Sequence, residues 1–175
     1  IRQDKKNAGF LGSSAAKEAV YQMARHEPLV AMPGTSDKYS DIGFILLAEI
    51  IEKVSGVPLD IFCHDEIFSM LKCEIFFQRL GRERVGHFAA TEDCPWRGEV
   101  VCAKVHDDNA YAMGGVSGHA GLFGTAQAVY TMVKCWQDSI KGEGWIITHI
   151  ANQFVTRREG NFLLGWDAPS PNHSS

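Results

Sequence analysis

No stretch of this sequence stays apolar for long enough to span a bilayer. Its opening, IRQDKKNAGF, lacks the charged-then-apolar pattern of a signal peptide. There is no basic run: 17 Lys and Arg stand against 21 Asp and Glu, a net charge of −4. That balance lacks the electrostatic footprint of a nucleic-acid binder. Cysteine is sparse and unpatterned. Cys63, Cys73, Cys94, Cys102 and Cys135 are odd in number and contain no C-x-x-C pair, which excludes a zinc ribbon or an evenly paired disulfide framework and leaves the redox compartment open. No G-K-[ST] closes the glycine-rich run at 114–124, so it is not a phosphate loop. GVSGH around Ser117 has His119 where a G-x-S-x-G nucleophile elbow needs its last glycine. No cofactor or metal is called for by any of these patterns. The first residue is Ile1 rather than methionine, and the expectation is an internal piece of a longer protein.

What is present fits one domain over 1–175, with no internal repeat or linker and enough length to bury a core. Residues 1–13 read as a loop. Helical spacing of Val20, Met23 and Ala24 predicts a helix from Ser14 that Pro28 ends. Met32 to Thr35 is a turn, with Pro33 fixing φ and Gly34 free to take a positive one. A helix follows, capped by Ser40 or Asp41 and closed by Gly56 and Pro58. Ile42, Ile45, Leu46, Ile50 and Val54 form its apolar face and Glu49, Glu52 and Lys53 lie outside it. A second helix is expected from Pro58 to about Leu71, extended chain over 73–80, and a short strand over 100–105. Further on, a Thr125-capped helix buries Ala126, Val129, Tyr130, Val133 and Ile140 and ends at Gly142 and Gly144. A helical segment over 146–154, a strand over 161–166 and a loop-like tail complete the chain.

Three groups of residues could carry chemistry. Ser14-Ala15-Ala16-Lys17 matches S-x-x-K, in which a lysine one turn after a serine can take its proton. The structural alternative makes Ser14 an N-cap and Lys17 a solvated residue. Tyr39-Ser40-Asp41 stands at a helix entrance. A phenol with a reference pKa of about 10 becomes a base only beside a cation. His106-Asp107-Asp108 could seed a metal hydrolase, but no second histidine has the spacing to complete a site. His64-Asp65-Glu66 reads as a surface cluster, and the glycine-rich run as a place where backbones pack closely.

In order along the chain, YSDIGFILLAEIIEKVSGVPL, TEDCPWRGEVV, VHDDNAYAMGG, GHAGLFGTAQ and FLLGWDAPSP resemble the serine β-lactamase and penicillin-binding-protein family. The branch is the class C-like one of esterases and D-alanyl-D-alanine carboxypeptidases. The resemblance implies an α+β fold of which this chain holds mainly the helical part, the main antiparallel sheet being largely missing. It also implies that 1–175 is a single partial domain lacking both ends. The family places a serine of S-x-x-K, a tyrosine of Y-x-N or Y-x-D and a K-T-G or H-x-G strand around one cleft. Tyr39 and Asp41 match the second motif and are the candidate catalytic residues. By the same resemblance the family's nucleophile precedes Ile1, Ser14 belongs to a variable helix, and the H-x-G strand follows Ser175. His119-Ala120-Gly121 is therefore not expected to be that motif, while a supporting role for His119 near the cleft stays open.

The implied activity is acyl-enzyme hydrolysis of ester, amide or β-lactam-like bonds, with a small-molecule or peptide substrate and a periplasmic or secreted bacterial setting. An ionised Asp41 only accepts hydrogen bonds where the commoner asparagine also donates, which favours ester or amide substrates. These 175 residues alone are expected to be inactive. The alternative is a non-catalytic ligand- or partner-binding module of the same fold.

Overall fold

The computed structural model of the chain describes residues 9–36, 38–156 and 162–167. Two compact units divide it, one from 1–27 with 40–125 and the other from 28–39 with 126–175. Residues 1–8 of the loop expected over 1–13, the tail beyond 167 and Asn161 of the expected strand lie outside the described residues.

In the first unit, α1 (Ser14–His26) begins one residue earlier than a Ser14 cap requires: Ser13 is the N-cap, its hydroxyl accepting from the Ala16 N–H. In α2 (Asp41–Ser55) Ser40 caps the N-terminus by accepting from the Ile42 N–H, and Gly56 ends the helix in the left-handed region at φ 76°. Val20, Tyr21 and Ala24 of α1 pack on Ile45 of α2 and on Met113. The buried face of α2 is rotated from the one expected. Ile45, Ala48 and Glu49 are buried, while Ile50 and Val54 are exposed. Glu49 tolerates burial because Arg25 and Lys53 both reach its Oε1, as buried carboxylates require.

The predicted second helix is present over the same span but changes pitch. Leu59–Cys63 (α3) passes into a π-helical turn at His64–Phe68 and returns to α-geometry at Ser69–Leu71 (α4). Glu52 joins α1, α2 and α3. It accepts from Lys17 Nζ at 2.5 Å, from the Tyr21 hydroxyl at 3.0 Å and from the Leu59 N–H at 2.8 Å. Burial, then the Glu52 charge, pushes the Tyr21 phenol far up, so it serves as a donor only.

Two small antiparallel sheets complete this unit. Strand β1 (Ile75–Phe77) lies within the extended stretch expected over 73–80 and pairs with β4 (Leu122–Gly124). The hairpin β2 (Ala90–Cys94) and β3 (Glu99–Cys102) has an irregular step between Ala90 and Glu92. Between β3 and β4 comes α5 (Asp108–Ala112) and then the glycine-rich run. That run is packed as its composition suggests. Gly115 has φ 92°, and a Cβ there would sit 2.0 Å from the Gln78 carbonyl oxygen; one at Gly118 would sit 2.1 Å from the Phe44 carbonyl oxygen.

In the second unit, α6 (Ala126–Ile140) and α7 (Thr148–Val155) carry an aromatic cluster in which Trp136 meets Phe154 and Trp166. Ala128 and Ser139 are buried on α6, whereas Val129, Tyr130 and Val133 of the expected apolar face are exposed. The strand expected over 161–166 is, in its described part, a single bridge between Phe162 and Asp167. The architecture is α+β, with small sheets and far more of the described residues in helices than in strands. No helix among the described residues is long and apolar enough to cross a membrane.

Because Glu52 collects three donors from two other helices, Glu52→Gln should cost about 2 kcal/mol in urea unfolding, the range for hydrogen bonds to a charged group. A change below about 0.5 kcal/mol would show that the three contacts are dispensable.

Candidate active site around Asp41, Asp107 and His119

The hairpin turn between β2 and β3 places Arg97 in the interior with a side chain 2% exposed. Its guanidinium lies 4.1 Å from the Tyr111 ring centre and 5.1 Å from that of Trp96. Its two terminal nitrogens donate to the Val105 carbonyl, the His106 carbonyl and Asp108 Oδ1 at 2.7, 2.7 and 3.0 Å. A planar fork of fixed donors suits this kind of multipoint clamp. The Trp96 indole N–H adds a bond to Asp108 at 2.9 Å. The chain is therefore held on both sides of Asp107, by the Val105 and His106 carbonyls before it and by the Asp108 side chain after it.

Asp107 caps α5 by accepting from the Ala110 N–H at 2.8 Å, and the same oxygen lies 2.8 Å from His119 Nε2. His119 Nδ1 is 2.8 Å from the Ser117 hydroxyl. The His119 side chain is 2% exposed and Ser117 is fully buried. The hydrogen bond from His119, helped by the Ala110 and Asn109 N–H groups, holds the Asp107 carboxyl below its ordinary range despite partial burial. An ionised carboxylate only accepts, so the proton between this pair sits on Nε2. His119 Nδ1 then either accepts from or donates to the Ser117 hydroxyl.

Asp41, the first residue of α2, brings its carboxylate into the same place. A carboxylate oxygen of Asp41, one of Asp107 and a ring nitrogen of His119 all lie within 4.8 Å of one another. Two carboxylates at that separation repel by about 3 kcal/mol at an effective dielectric of about 20. The His119 N–H and the amide end of α2 are the groups that offset this. These three side chains are also a donor set in which a cation could be considered, but both ring nitrogens of His119 are already engaged. Binding a metal through the imidazole would break its bond to Asp107 or to Ser117.

The hydrogen-bonded chain of Ser117, His119 and Asp107 borders two concavities. A cleft of about 540 Å³ lined by Met23, Glu92, Trp96, His106 and Asp107–Asn109 opens on the Asp107 side. A groove of about 520 Å³, walled by Phe44, Leu47, Ile51, Leu59, Phe77 and Leu122, opens on the side of Ser117 and His119.

Of the residues singled out in the sequence, Tyr39 is exposed, with its ring 6.2 Å from that of Phe162. It ends the 28–39 segment of the second unit, whereas Ser40 and Asp41 begin α2 in the first. Ser14 is exposed, and Lys17 is committed to Glu52 rather than to Ser14. His106 stands 3.8 Å from Glu92 at the cleft rim. His64 pairs with Asp65 on the surface. Spacing along the chain does not reveal the partnership of Asp107 with His119. Twelve residues separate the two, and the only signal is that an aspartate at a helix start and a histidine in a glycine run both belong to segments that carry the family resemblance.

A family model described as Beta-lactamase matches residues 2–166. The chain belongs to that family, whose members include serine hydrolases and penicillin-binding-protein-like enzymes. It is 32% identical over 174 residues to a protein of Escherichia coli (strain K12) named "Putative D-alanyl-D-alanine carboxypeptidase", covering 87% of this chain and 39% of that protein. It is 33% identical over 157 residues to the "N-acetylmuramyl-L-alanine amidase" of Bacillus subtilis (strain 168), covering 79% of this chain and 36% of that protein. The chain thus spans about two-fifths of the length of the curated relatives it matches.

The depressed Asp107 carboxyl makes stability pH-dependent with a definite sign. A carboxyl whose folded pKa lies below its unfolded value of about 3.9 stabilises the fold above that value and loses the contribution as pH falls through the folded one. Urea unfolding between pH 6 and pH 3 should therefore show a steeper acid loss for the wild type than for Asp107→Asn. Parallel curves would remove Asp107 from the acid limb.

Proposed function

We propose that this chain forms one wall of a serine-hydrolase cleft, in which Tyr39 and Asp41 belong to the proton-transfer motif of an acyl-enzyme reaction on amide or ester bonds. The observation that carries the reading is the meeting of Asp41, Asp107 and His119 at the entrance of α2. An ordered polar cluster that includes the aspartate of the motif is what a cleft wall needs, and family membership supplies the reaction class. The relatives named as a carboxypeptidase and an amidase favour an amide bond in a peptide-like substrate. An acceptor-only Asp41 disfavours an anionic substrate group close by, which suits the amide bond of an amidase better than one beside a terminal carboxylate.

In this reading a serine attacks the acyl carbon and its proton passes through neighbouring bases to the leaving group. Water then hydrolyses the acyl-enzyme and restores the serine. Ser14 does not fill that role, because Lys17 gives its ammonium to Glu52 at 2.5 Å and leaves Ser14 without a base. The attacking serine and the strand that shapes the oxyanion hole belong to parts of the family fold outside these 175 residues, and the chain by itself is inactive. Tyr39 has no cationic partner among the described residues, and in this reading it serves as a hydrogen-bonding hydroxyl.

A fluorophosphonate probe should leave the 175-residue chain unlabelled. In the protein expressed from the complete reading frame it should label one serine, in an S-x-x-K upstream of Ile1. Stoichiometric labelling at Ser14 would overturn the assignment. A complete reading frame with no S-x-x-K would instead favour a ligand-binding module. Hydrolysis of nitrocefin far faster than of short-chain nitrophenyl esters by the complete protein would reverse the preference against β-lactams.

A further inference from the structure

We propose that His119 is a positioning residue for Asp41, the aspartate of the Tyr39-Ser40-Asp41 motif. Held by Ser117 and Asp107, it supplies the N–H that lets the carboxylates of Asp107 and Asp41 stand together at the entrance of α2. The inference rests on the reading of Tyr39 and Asp41 as part of a catalytic cleft, but its physical core stands on geometry alone.

The carboxylate of Asp41 lies within 4.8 Å of its two neighbours. Among the described residues it has no hydrogen bond to either, so its place is set by the field of the cluster and by the backbone of α2. Asp107 cannot withdraw from it. Its oxygen is shared between the Ala110 N–H and His119 Nε2, both at 2.8 Å, and Arg97 holds the Val105 and His106 carbonyls before it and the Asp108 side chain after it. His119 cannot withdraw either. Its Nδ1 is 2.8 Å from Ser117, and the preceding residue, Gly118, lies so close to α2 that an added Cβ would meet the Phe44 carbonyl oxygen at 2.1 Å and Ala48 at 2.9 Å.

The glycine run therefore presses the imidazole toward the first turn of α2, and the movable negative group there is Asp41. With the imidazole N–H removed, two carboxylates would face each other with no donor between them. Asp41 would then turn away and carry the start of α2 with it. His119 touches no reacting atom and acts through Asp41.

The test is a double-mutant cycle in the 175-residue chain, read by urea unfolding. Asp41→Asn should raise the folding equilibrium constant about fivefold more in a His119→Leu background than in wild type, a coupling expected for groups in direct electrostatic contact. In His119→Gln, which keeps an amide N–H for Asp107, the excess should shrink below about twofold. If His119→Leu does not fold, Asp41→Asn should restore folding to it. Equal effects of Asp41→Asn in all backgrounds, or a double variant as unfolded as His119→Leu, would overturn the proposal.

In the protein from the complete reading frame, folded His119→Leu should lose kcat with little change in KM, and His119→Gln should recover part of it. A wild-type kcat in folded His119→Leu would also count against positioning. Coupling without any hydrolase activity in the complete wild-type protein would leave the positioning of Asp41 intact and sink the hydrolase reading instead.

Discussion

The hydrogen bond between Asp107 and His119 is the constraint on which the rest of the site depends. One carboxylate oxygen both starts a helix and fixes an imidazole. Helix α5 needs an N-cap because its first N–H groups have no partners within the helix, and the cap chosen is the residue that also faces His119. The carboxylate stays ionised because three donors share it. Its ionisation fixes the proton on Nε2 and leaves Nδ1 to Ser117. Local helix geometry, protonation and side-chain direction are therefore settled together at a single residue.

Everything that surrounds this bond resists its loosening. Arg97 is buried between Trp96 and Tyr111 and ties the hairpin turn to the two backbone carbonyls before Asp107 and to the Asp108 side chain after it. The glycines of 114–121 bring the run against Gln78 and against α2 at distances no side chain would permit. On the α2 side, Glu52 gathers Lys17, Tyr21 and the start of α3, so the helix that begins with Asp41 is held near its far end too. Rigid supports on both flanks of a polar cluster are the general requirement for a preorganised site. On the proposed reading as a wall of a serine-hydrolase cleft, this accounts for so tightly built a cluster.

Much of the fold is legible in the sequence because it is written locally. The cap at Ser40, the stop at Gly56 and Pro58, the turn at Met32 to Thr35 and the close packing of the glycine run each follow from the conformational needs of a few adjacent residues. The buried face of α2 departs from the expected one for a non-local reason. Glu49 looks like a solvent-facing residue until Arg25, on another helix, is brought beside it, and then the carboxylate can be buried and the face turns. Ser14 looks like a nucleophile or a cap for a similar reason. Ser13 takes the cap and Glu52 takes Lys17, and neither choice can be read from the four residues of S-x-x-K. In the site, Asp41 is marked by its motif. His119 stands out in the sequence only as a poor fit to other motifs, because its partners are defined by tertiary packing and not by spacing.

A proton on His119 Nε2 is what joins Asp107 to the wall that carries Asp41. The most direct measurement is the imidazole nitrogen spectrum of His119 in the uniformly ¹⁵N-labelled chain near neutral pH. A protonated Nε2 with a hydrogen-bonded partner is predicted, whether or not Nδ1 is also protonated. A neutral ring with its proton on Nδ1 and a bare Nε2 would contradict this, since that tautomer cannot donate to Asp107.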